Sequence, residues 1–184
     1  MKRLILASQS PRRAKILEDF GVEFDIVKTD SEEMSFADDP ERTVRENAIL
    51  KLMACRESGH GGDAILAADT IVWFENEIYG KPADLDEARS MLRKLSGQTH
   101  TVFTGVAFCG GESEKTETAV CRSEVTFREL SEEAIGEYVE RTKPTDRAGA
   151  YDIDENGDML VARYEGEYEN IMGLPLAPLR KWLQ

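Results

Sequence analysis

A continuous apolar run at residues 64–68 most strongly limits how this chain can fold. Ala64-Ile65-Leu66-Ala67-Ala68 shows no alternation of polar and apolar side chains, which is typical of a strand in a sheet that is buried on both faces. The run stops at Asp69 and Thr70, where we expect the strand to end. A sheet covered on both faces predicts an α/β protein, with a mixed, twisted sheet and flanking helices.

Turn and cap signals predict the other elements around this strand. The expected strands are residues 4–7, 23–27, 71–74, 78–79, 99–109 and 116–127, and the expected helices are residues 11–20, 40–57, 85–95, 132–141 and a short one near Pro175. Asn156-Gly157 predicts a type I′ hairpin between strands at residues 150–151 and 159–162. No linker or repeat interrupts these elements, so we expect one domain over residues 1–184.

Charge and composition exclude several classes of function. The formal net charge of −13 disfavours binding to a nucleic-acid polymer, because affinity for phosphate backbones is largely electrostatic. No apolar run has the length of a membrane span, and the N-terminus lacks the long apolar region of a signal peptide, so we expect a cytoplasmic protein without a membrane partner. The cysteines and histidines form no pattern typical of zinc ligands.

The segment that follows the first strand carries two arginines at the start of a helix. Ser10 suits the N-cap and Pro11 the first helical position, which places Arg12 and Arg13 in the first turn. Cations there oppose the helix dipole, and a bound anion such as phosphate would relieve the misfit. The alternative is an ordinary capped helix with two solvated arginines.

A carboxylate and a lysine lie where chemistry is expected. Asp69 follows a buried strand, a usual position for ligand binding in α/β folds, although an aspartate there can also cap a turn. Lys51 shares a helix face with the apolar Val44 and Ala48. An inward lysine needs an internal carboxylate such as Glu33, a substrate phosphate, or a path along which its ammonium reaches solvent.

Two loops supply weaker candidates. Lys81 lies between Gly80 and Pro82, which would present its ammonium from a rigid turn. Glu32 and Glu33 form either a solvated acidic loop or a pair of Mg²⁺ ligands.

Residues 152–157 match the first half of a calcium-binding EF-hand loop. The twelfth position of that loop is Arg163, where a bidentate glutamate is required, and the flanking residues indicate strands instead of helices. A structural or calcium-binding module is therefore the least favoured interpretation.

Several segments, in order along almost the whole chain, resemble the Maf family of nucleoside triphosphate pyrophosphatases. The matching segments are residues 6–13, 68–70, 80–82, 91–100, 104–106, 146–151 and 173–176. The resemblance implies a two-lobed α/β fold with a deep nucleotide-binding cleft. It also implies metal-dependent hydrolysis of a nucleoside triphosphate between its α and β phosphates, which gives a nucleoside monophosphate and pyrophosphate. It is consistent with a homodimer.

The resemblance also implies roles for individual residues. Glu33 and Asp69 would hold Mg²⁺ or Mn²⁺, and Asp69 would orient or deprotonate the attacking water. Lys51, Lys81 and Arg13 would bind the triphosphate. The candidates for contact with the nucleoside are Ser8, Arg12, Thr70 and Asp154, and the first two could instead serve phosphate.

One departure from the family pattern affects the expected substrate. Pyrimidine-cleaving members usually carry Gly-Ile-Gln where this chain has Asp152-Ile153-Asp154. An ionised Asp154 only accepts hydrogen bonds, so a carbonyl-rich base such as uracil would lose a donor. Thr70 still favours the branch that acts on dTTP and UTP, and modified nucleotides are the other substrates that we consider.

A second hypothesis belongs to a different class of function. In it, the protein binds nucleotide with little turnover and regulates septum formation and cell division through a partner. Pyrophosphate release that depends on Asp69 would favour the enzyme, and tight binding without release would favour the regulator.

Overall fold

The computed structural model describes residues 4–111 and 115–183, and these form one mixed sheet with helices packed on it. The seven strands are β1 (Leu4–Ala7), β2 (Phe24–Ile26), β3 (Ala64–Phe74), β4 (Glu77–Tyr79), β5 (Thr99–Cys109), β6 (Thr116–Phe127) and β7 (Val161–Glu165). The α-helices are α1 (Pro11–Asp19), α2 (Pro40–Cys55), α3 (Leu85–Leu95), α4 (Glu132–Thr142), α5 (Tyr168–Met172) and α6 (Leu176–Trp182). The α/β class is therefore confirmed.

The sheet has the strand order β2-β1-β3-β5-β6-β7, and β4 pairs separately with β3. β1 runs parallel to β2 and β3, and every other pairing is antiparallel. The chain thus begins as a parallel α/β unit and continues as an antiparallel sheet, which makes β3 the strand that joins the two parts.

Side chains alternate between two cores along the buried strands. Leu66 and Ala68 of β3 pack with α1 and α6, whereas Ile65 and Ala67 pack with α2. A third core, around α3 and α4, includes Val72 near the far end of the same strand. A strand that is buried on both faces explains the continuous apolar run that the sequence shows.

Helix α2 lies unusually close to the sheet at Gly105 of β5. A Cβ atom built on Gly105 would lie 2.3 Å from the backbone oxygen of Val44, so only glycine permits this approach. The close packing fixes the height of α2 above the sheet.

Several predicted elements are confirmed with their bounds, namely Leu4–Ala7, Leu85–Leu95, Thr99–Cys109 and Thr116–Phe127. The first helix ends at Asp19 and is followed by Gly21 at φ +80°, the left-handed conformation expected there. The long helix after Pro40 ends at Cys55, and a π-helical turn at Arg56–His60 follows it.

The prediction that a strand ends at Asp69 is wrong. β3 continues through Asp69 and Thr70 to Phe74, and Asp69 pairs with Gly105 in the middle of the strand. The strand that ends nearby is β1, whose last residue, Ala7, pairs with Ala67. The polar residues therefore mark the end of the neighbouring strand, an effect of pairing that local sequence does not reveal.

The predicted hairpin at Asn156-Gly157 is also wrong. Short 3₁₀ turns occupy Ala148–Ala150 and Gly157–Met159, and the strand that follows, β7, pairs with β6. Asn156 does adopt the left-handed conformation that the turn signal predicts, with φ +55°. The turn signal was therefore correct for the conformation of Asn156, but the chain segments before and after it do not pair with each other as strands.

Within the described residues, no helix is long and apolar enough to cross a membrane.

Candidate active site

A gap in the sheet along one edge of β3 opens a large cavity. β5 covers one edge of β3 from Ile65 to Trp73. On the other edge, β1 pairs as far as Ala67 and β4 begins to pair at Val72, which leaves residues 68–71 without a neighbouring strand. A cavity of about 970 Å³ lies here, large enough for a small-molecule ligand.

Nearly all of the predicted site residues line this cavity. They are Ser8, Arg12, Arg13, Glu33, Lys51, Asp69, Thr70 and Lys81. Asp69 and Thr70 are neighbours in β3 and point to opposite faces of the sheet, yet both reach the cavity because the gap exposes both faces. Asp154 is not among the lining residues.

Lys51 connects the two carboxylates that the sequence proposes as metal ligands. Its Nζ atom lies 2.5 Å from Asp69 Oδ1 and 2.9 Å from Glu33 Oε1. Of the three environments considered for this inward lysine, the structure shows the internal carboxylates. One ammonium shared by two carboxylates leaves one net negative charge, which can attract a cation.

The charge balance of this cluster keeps Glu33 ionised. Partial burial on its own would raise the pKa of Glu33, but the charge and hydrogen bond of Lys51, with smaller effects of Lys81 and Arg13, hold that pKa below its usual value. A carboxylate that stays ionised to lower pH is suited to bind a divalent cation at neutral pH.

Arg13 lies on the other face of β3 and is held by neutral acceptors. It donates from Nε to the backbone oxygen of Gly173 at 2.7 Å, from Nη1 to Ser8 Oγ at 3.0 Å and from Nη2 to Thr70 Oγ1 at 3.0 Å. Among the described residues, no carboxylate forms an ion pair with it. Its positive charge is thus fixed in place without a carboxylate paired to it among the described residues.

Burial lowers the pKa of Arg13 to about 10, partly offset by the charge of Asp69. The guanidinium stays charged at neutral pH, and two of its five N–H groups have no part in these three bonds. An anion in the cavity would satisfy both the charge and the remaining donors.

The start of α1 differs in detail from the prediction. Ser10 is the N-cap residue, as expected, but its hydroxyl makes no capping hydrogen bond. Instead Ser8 Oγ accepts from the backbone N–H of Ser10 at 3.2 Å and from Arg13. The first turn has no acidic residue, so the expected misfit between arginines and helix dipole is present.

Arg12 faces a carboxylate that sequence reasoning did not assign to the site. Arg12 Nη1 lies 2.9 Å from Asp152 Oδ2, and Arg147 Nε lies 2.9 Å from the same oxygen. The phenol oxygen of Tyr138 accepts the backbone N–H of Asp152 at 2.8 Å. Asp152 is buried, lines the cavity and neutralises Arg12, in contrast to Arg13.

Asp154 acts on the cavity through Asp152. The hydrogen bond between the two carboxyls, then burial and the charge of Asp152, raises the pKa of Asp154 to about 6. Burial on its own would raise the pKa of Asp152, but the bond with Asp154 and the charges of Arg12 and Arg147 lower it. A proton shared by the pair therefore resides on Asp154.

Asp152 has its carboxylate between two arginines, which does not suit the calcium loop considered for residues 152–157. Of the flanking strands that the sequence predicted, the one at residues 150–151 is absent, and the one at residues 159–162 is present only from Val161, where β7 begins.

Asn47 is a second residue that sequence reasoning missed. Its Nδ2 donates to Asp69 Oδ2 at 3.1 Å and to the backbone oxygen of Met34 at 3.0 Å. One signal could have identified it: Asn47 is four residues before Lys51 and shares its helix face. No comparable local signal points to Asp152, whose contact with Arg12 joins distant parts of the chain.

His100 lies behind Tyr151, a residue that lines the cavity. Its Nε2 lies 2.9 Å from the hydroxyl oxygen of Tyr151, which lines the cavity. Burial lowers the pKa of His100 to about 3, so the imidazole is neutral and supports Tyr151 without adding charge.

Comparison with known proteins identifies the family of this chain. The model of the family described as "Maf-like protein" matches residues 3–184. A protein named dTTP/UTP pyrophosphatase from Bacillus cereus strain G9842 is 44% identical over 185 residues, which cover 100% of this chain and 95% of that protein.

Two further relatives carry the same name. The dTTP/UTP pyrophosphatase of Dictyoglomus thermophilum is 42% identical over 184 residues, covering 99% of this chain and 95% of the relative. The dTTP/UTP pyrophosphatase of Thermotoga petrophila is 41% identical over 182 residues, which cover 98% of this chain and 88% of that relative. With a family match over nearly its full length and relatives of this similarity, the chain belongs to the Maf-like protein family.

Proposed function

We propose that this protein is a nucleoside triphosphate pyrophosphatase, which hydrolyses the bond between the α and β phosphates and releases a nucleoside monophosphate and pyrophosphate. The names of its relatives support dTTP and UTP as substrates, and modified nucleotides remain candidates. The structural observation that carries the proposal is one cavity lined by Arg13, which neutral acceptors hold on one face of β3, and by the Glu33–Lys51–Asp69 cluster on the other face.

The two ends of the cavity suit different parts of the substrate. Arg13, Lys51 and Lys81 supply the positive charge for a triphosphate. Arg12 is already neutralised by Asp152, so its end of the cavity suits the nucleoside. Its remaining N–H groups can donate to a carbonyl-rich base, which supplies the donor that Asp154 lacks when ionised.

Glu33 and Asp69 fit a hard divalent cation. Both present carboxylate oxygens, the ligands that Mg²⁺ and Mn²⁺ prefer. No group of three or more potential metal-ligating side chains occurs in the described ranges, so phosphate oxygens and water would complete the coordination. When bound, such an ion would supply positive charge to the phosphates and make water a better nucleophile.

The chain's own residues then account for the remaining steps. Asp69 orients a water molecule towards the α phosphorus and takes its proton, while Asn47 and Lys51 hold the carboxylate in place. The bond from the α phosphorus to the bridging oxygen breaks, and its electron pair leaves with pyrophosphate. Arg13 and Lys81 stabilise that growing charge, which lowers the barrier more than it strengthens ground-state binding.

The proposal is tested by pyrophosphate release from a panel of nucleoside triphosphates, canonical and modified, with Mg²⁺ or Mn²⁺. We expect the Asp69→Asn variant to lose about 10²- to 10⁴-fold in kcat, the usual value of a positioned general base. Asp63→Asn, which changes a carboxylate outside the cavity, is the matched control and should retain activity.

An Asp69→Asn variant with wild-type kcat would contradict the assigned role of Asp69. Tight nucleotide binding by a wild-type protein that releases no pyrophosphate would favour the regulator of septum formation instead.

We further propose that residues 1–184 act as one domain in the cytoplasm, without a nucleic-acid polymer as partner. The formal net charge of −13 supports the last point. A homodimer is the expected assembly, and sedimentation equilibrium measures it directly.

A further inference from the structure

Asn47 makes an unusually complete set of contacts between two parts of the candidate active site. Its Oδ1 accepts the backbone N–H of Met34 at 2.7 Å, and its two Nδ2 hydrogens go to the backbone oxygen of Met34 and to Asp69 Oδ2. The side chain is only 2% exposed, and all of its strong donors are used. One amide thus joins the acidic loop to the middle of β3.

The loop needs such support because it has no regular structure of its own. Residues 27–36 form neither helix nor strand, and Glu33 lies within them. Two side chains of α2 bond to the backbone of this segment: Asn47 bonds to Met34, and Thr43 Oγ1 accepts the backbone N–H of Phe36 at 3.0 Å. Of these two, Asn47 also contacts Asp69, whereas Lys51 reaches the segment through the side chain of Glu33.

We propose that Asn47 is a positioning residue that sets the placement of Glu33 relative to Asp69, and so the geometry of the divalent-cation site. This inference rests on the proposed function for the identity of the cation. Met34 is the residue after Glu33, so a fixed Met34 backbone restricts where the Glu33 carboxylate can lie. Lys51 alone cannot do this, because a flexible ammonium binds carboxylates in many arrangements.

The consequence of losing Asn47 is local, for a physical reason. Met34 is 46% exposed, so water can replace the amide on its backbone, whereas Asp69 is 5% exposed and its Oδ2 would lose a buried partner. Replacement by leucine, which has a similar shape, should therefore leave the fold intact while it frees the loop and reorients Asp69.

The experiment compares Asn47→Leu with Thr43→Val, which cuts the other attachment of the same loop without touching Asp69. Hydrogen exchange at the Met34 and Phe36 amides shows that each attachment has been cut. Mn²⁺ binding is then titrated by electron paramagnetic resonance with the metal alone, so the result does not depend on turnover. We expect the Mn²⁺ dissociation constant to rise about 10- to 100-fold in Asn47→Leu and to change less than about 2-fold in Thr43→Val.

A kinetic measurement adds an independent result. In Asn47→Leu, the Mn²⁺ concentration for half-maximal rate should rise in parallel with the dissociation constant, while the KM for nucleotide changes little. Asn47→Ala serves as a second variant if the leucine protein does not fold, and the same rise is expected.

Three outcomes overturn the inference: unchanged Mn²⁺ affinity in the Asn47 variants, an equal loss in Thr43→Val, or no Mn²⁺ binding by the wild-type protein. The second outcome would show that tethering the loop is sufficient. None of them depends on pyrophosphate release, so failure of this inference is distinguishable from failure of the proposed function.

Discussion

Arg13 shows at the scale of one residue why an arginine, and not simply a positive charge, is required at the cavity wall. Its guanidinium donates in three directions, to Gly173, Ser8 and Thr70, and still has donors for a ligand. A lysine ammonium cannot reproduce that planar arrangement. The role of this residue therefore depends on geometry as much as on charge.

Arg13→Lys is expected to lower kcat/KM by about 100-fold, because a cation displaced by about 1 Å no longer meets the phosphates correctly. Lys15→Arg, the reverse exchange at an exposed position of α1, is the control and should have no effect. Steady-state kinetics with dTTP and UTP measure both variants. Wild-type kcat/KM in Arg13→Lys would show that the planar arrangement of guanidinium donors is not required.

The raised pKa of Asp154 predicts that the free energy of unfolding depends on pH. Its pKa is about 6 in the folded protein, above the ordinary value of 3.8, so the folded state holds its proton more tightly than the unfolded state. Stability is then lost as pH rises from about 4 to 6. Asp154→Asn keeps a hydrogen-bond donor next to Asp152 and has no charge to repel it at any pH.

The stability of Asp154→Asn relative to wild type should thus increase between pH 4 and 6 and stay constant above about pH 7. Thermal unfolding across this pH range measures it, with Asp158→Asn, an exposed aspartate in the same loop, as the control. A difference that is independent of pH would contradict the shared proton between Asp152 and Asp154.

Sequence reasoning identified individual site residues well where a local pattern marks them. Two arginines after a helix cap and an inward lysine between apolar neighbours were sufficient to select Arg13 and Lys51, and both line the cavity. Asp152 was assigned to a hairpin instead, because its partner Arg12, far away in the sequence, is brought to it only by the fold. Long-range ion pairs have no periodicity that a sequence could reveal.

At the scale of the element, the contact between α2 and β5 controls the whole carboxylate cluster. α2 carries Asn47 and Lys51, and its distance from the sheet is set at Gly105. Any side chain there must push the helix outward, which would move both residues relative to Asp69.

Gly105→Ala should destabilise the protein by about 1–3 kcal/mol or more, the usual cost of overpacking, and should reduce activity as well. Gly136→Ala is the contrasting control, because no atom lies within 4 Å of the new Cβ and the site is inside helix α4. Alanine should stabilise that helix by about 0.5–1 kcal/mol. Urea unfolding measures both, and equal effects of the two substitutions would contradict the close approach of α2.

The helix predicted over residues 85–95 is confirmed as Leu85–Leu95. The extent of β3 was not predicted. Along one edge, this strand pairs first with β1 and then with β4, and it contains polar residues between these two pairings. Asp69 and Thr70 resemble a strand end only when the sequence is considered one strand at a time.

At the scale of the whole molecule, β3 and β5 are common to three cores. Val72 and Val102 belong to the core around α3 and α4, whereas Leu66 and Val106 belong to the core around α1 and α6. The part of the molecule around α1 and α6 and the part around α3 and α4 thus share β3 and β5, and they should not unfold separately.

We therefore expect a single unfolding transition, with the same midpoint by far-ultraviolet circular dichroism and by tryptophan fluorescence. Native-state hydrogen exchange of the most protected amides in α1 and α3 should also give equal free energies. Two transitions, or free energies that differ by several kcal/mol, would contradict the prediction of one domain over residues 1–184.

The position of Asp69 in the middle of β3 also determines where this protein can tolerate insertions and deletions. Adding one residue to β3 directly before Asp69 would turn every following side chain to the opposite face, which moves Asp69 away from Lys51 and shifts the five cross-strand pairs with β5 from Asp69 to Trp73. Changes of chain length are therefore expected in the connections between elements and not in β3.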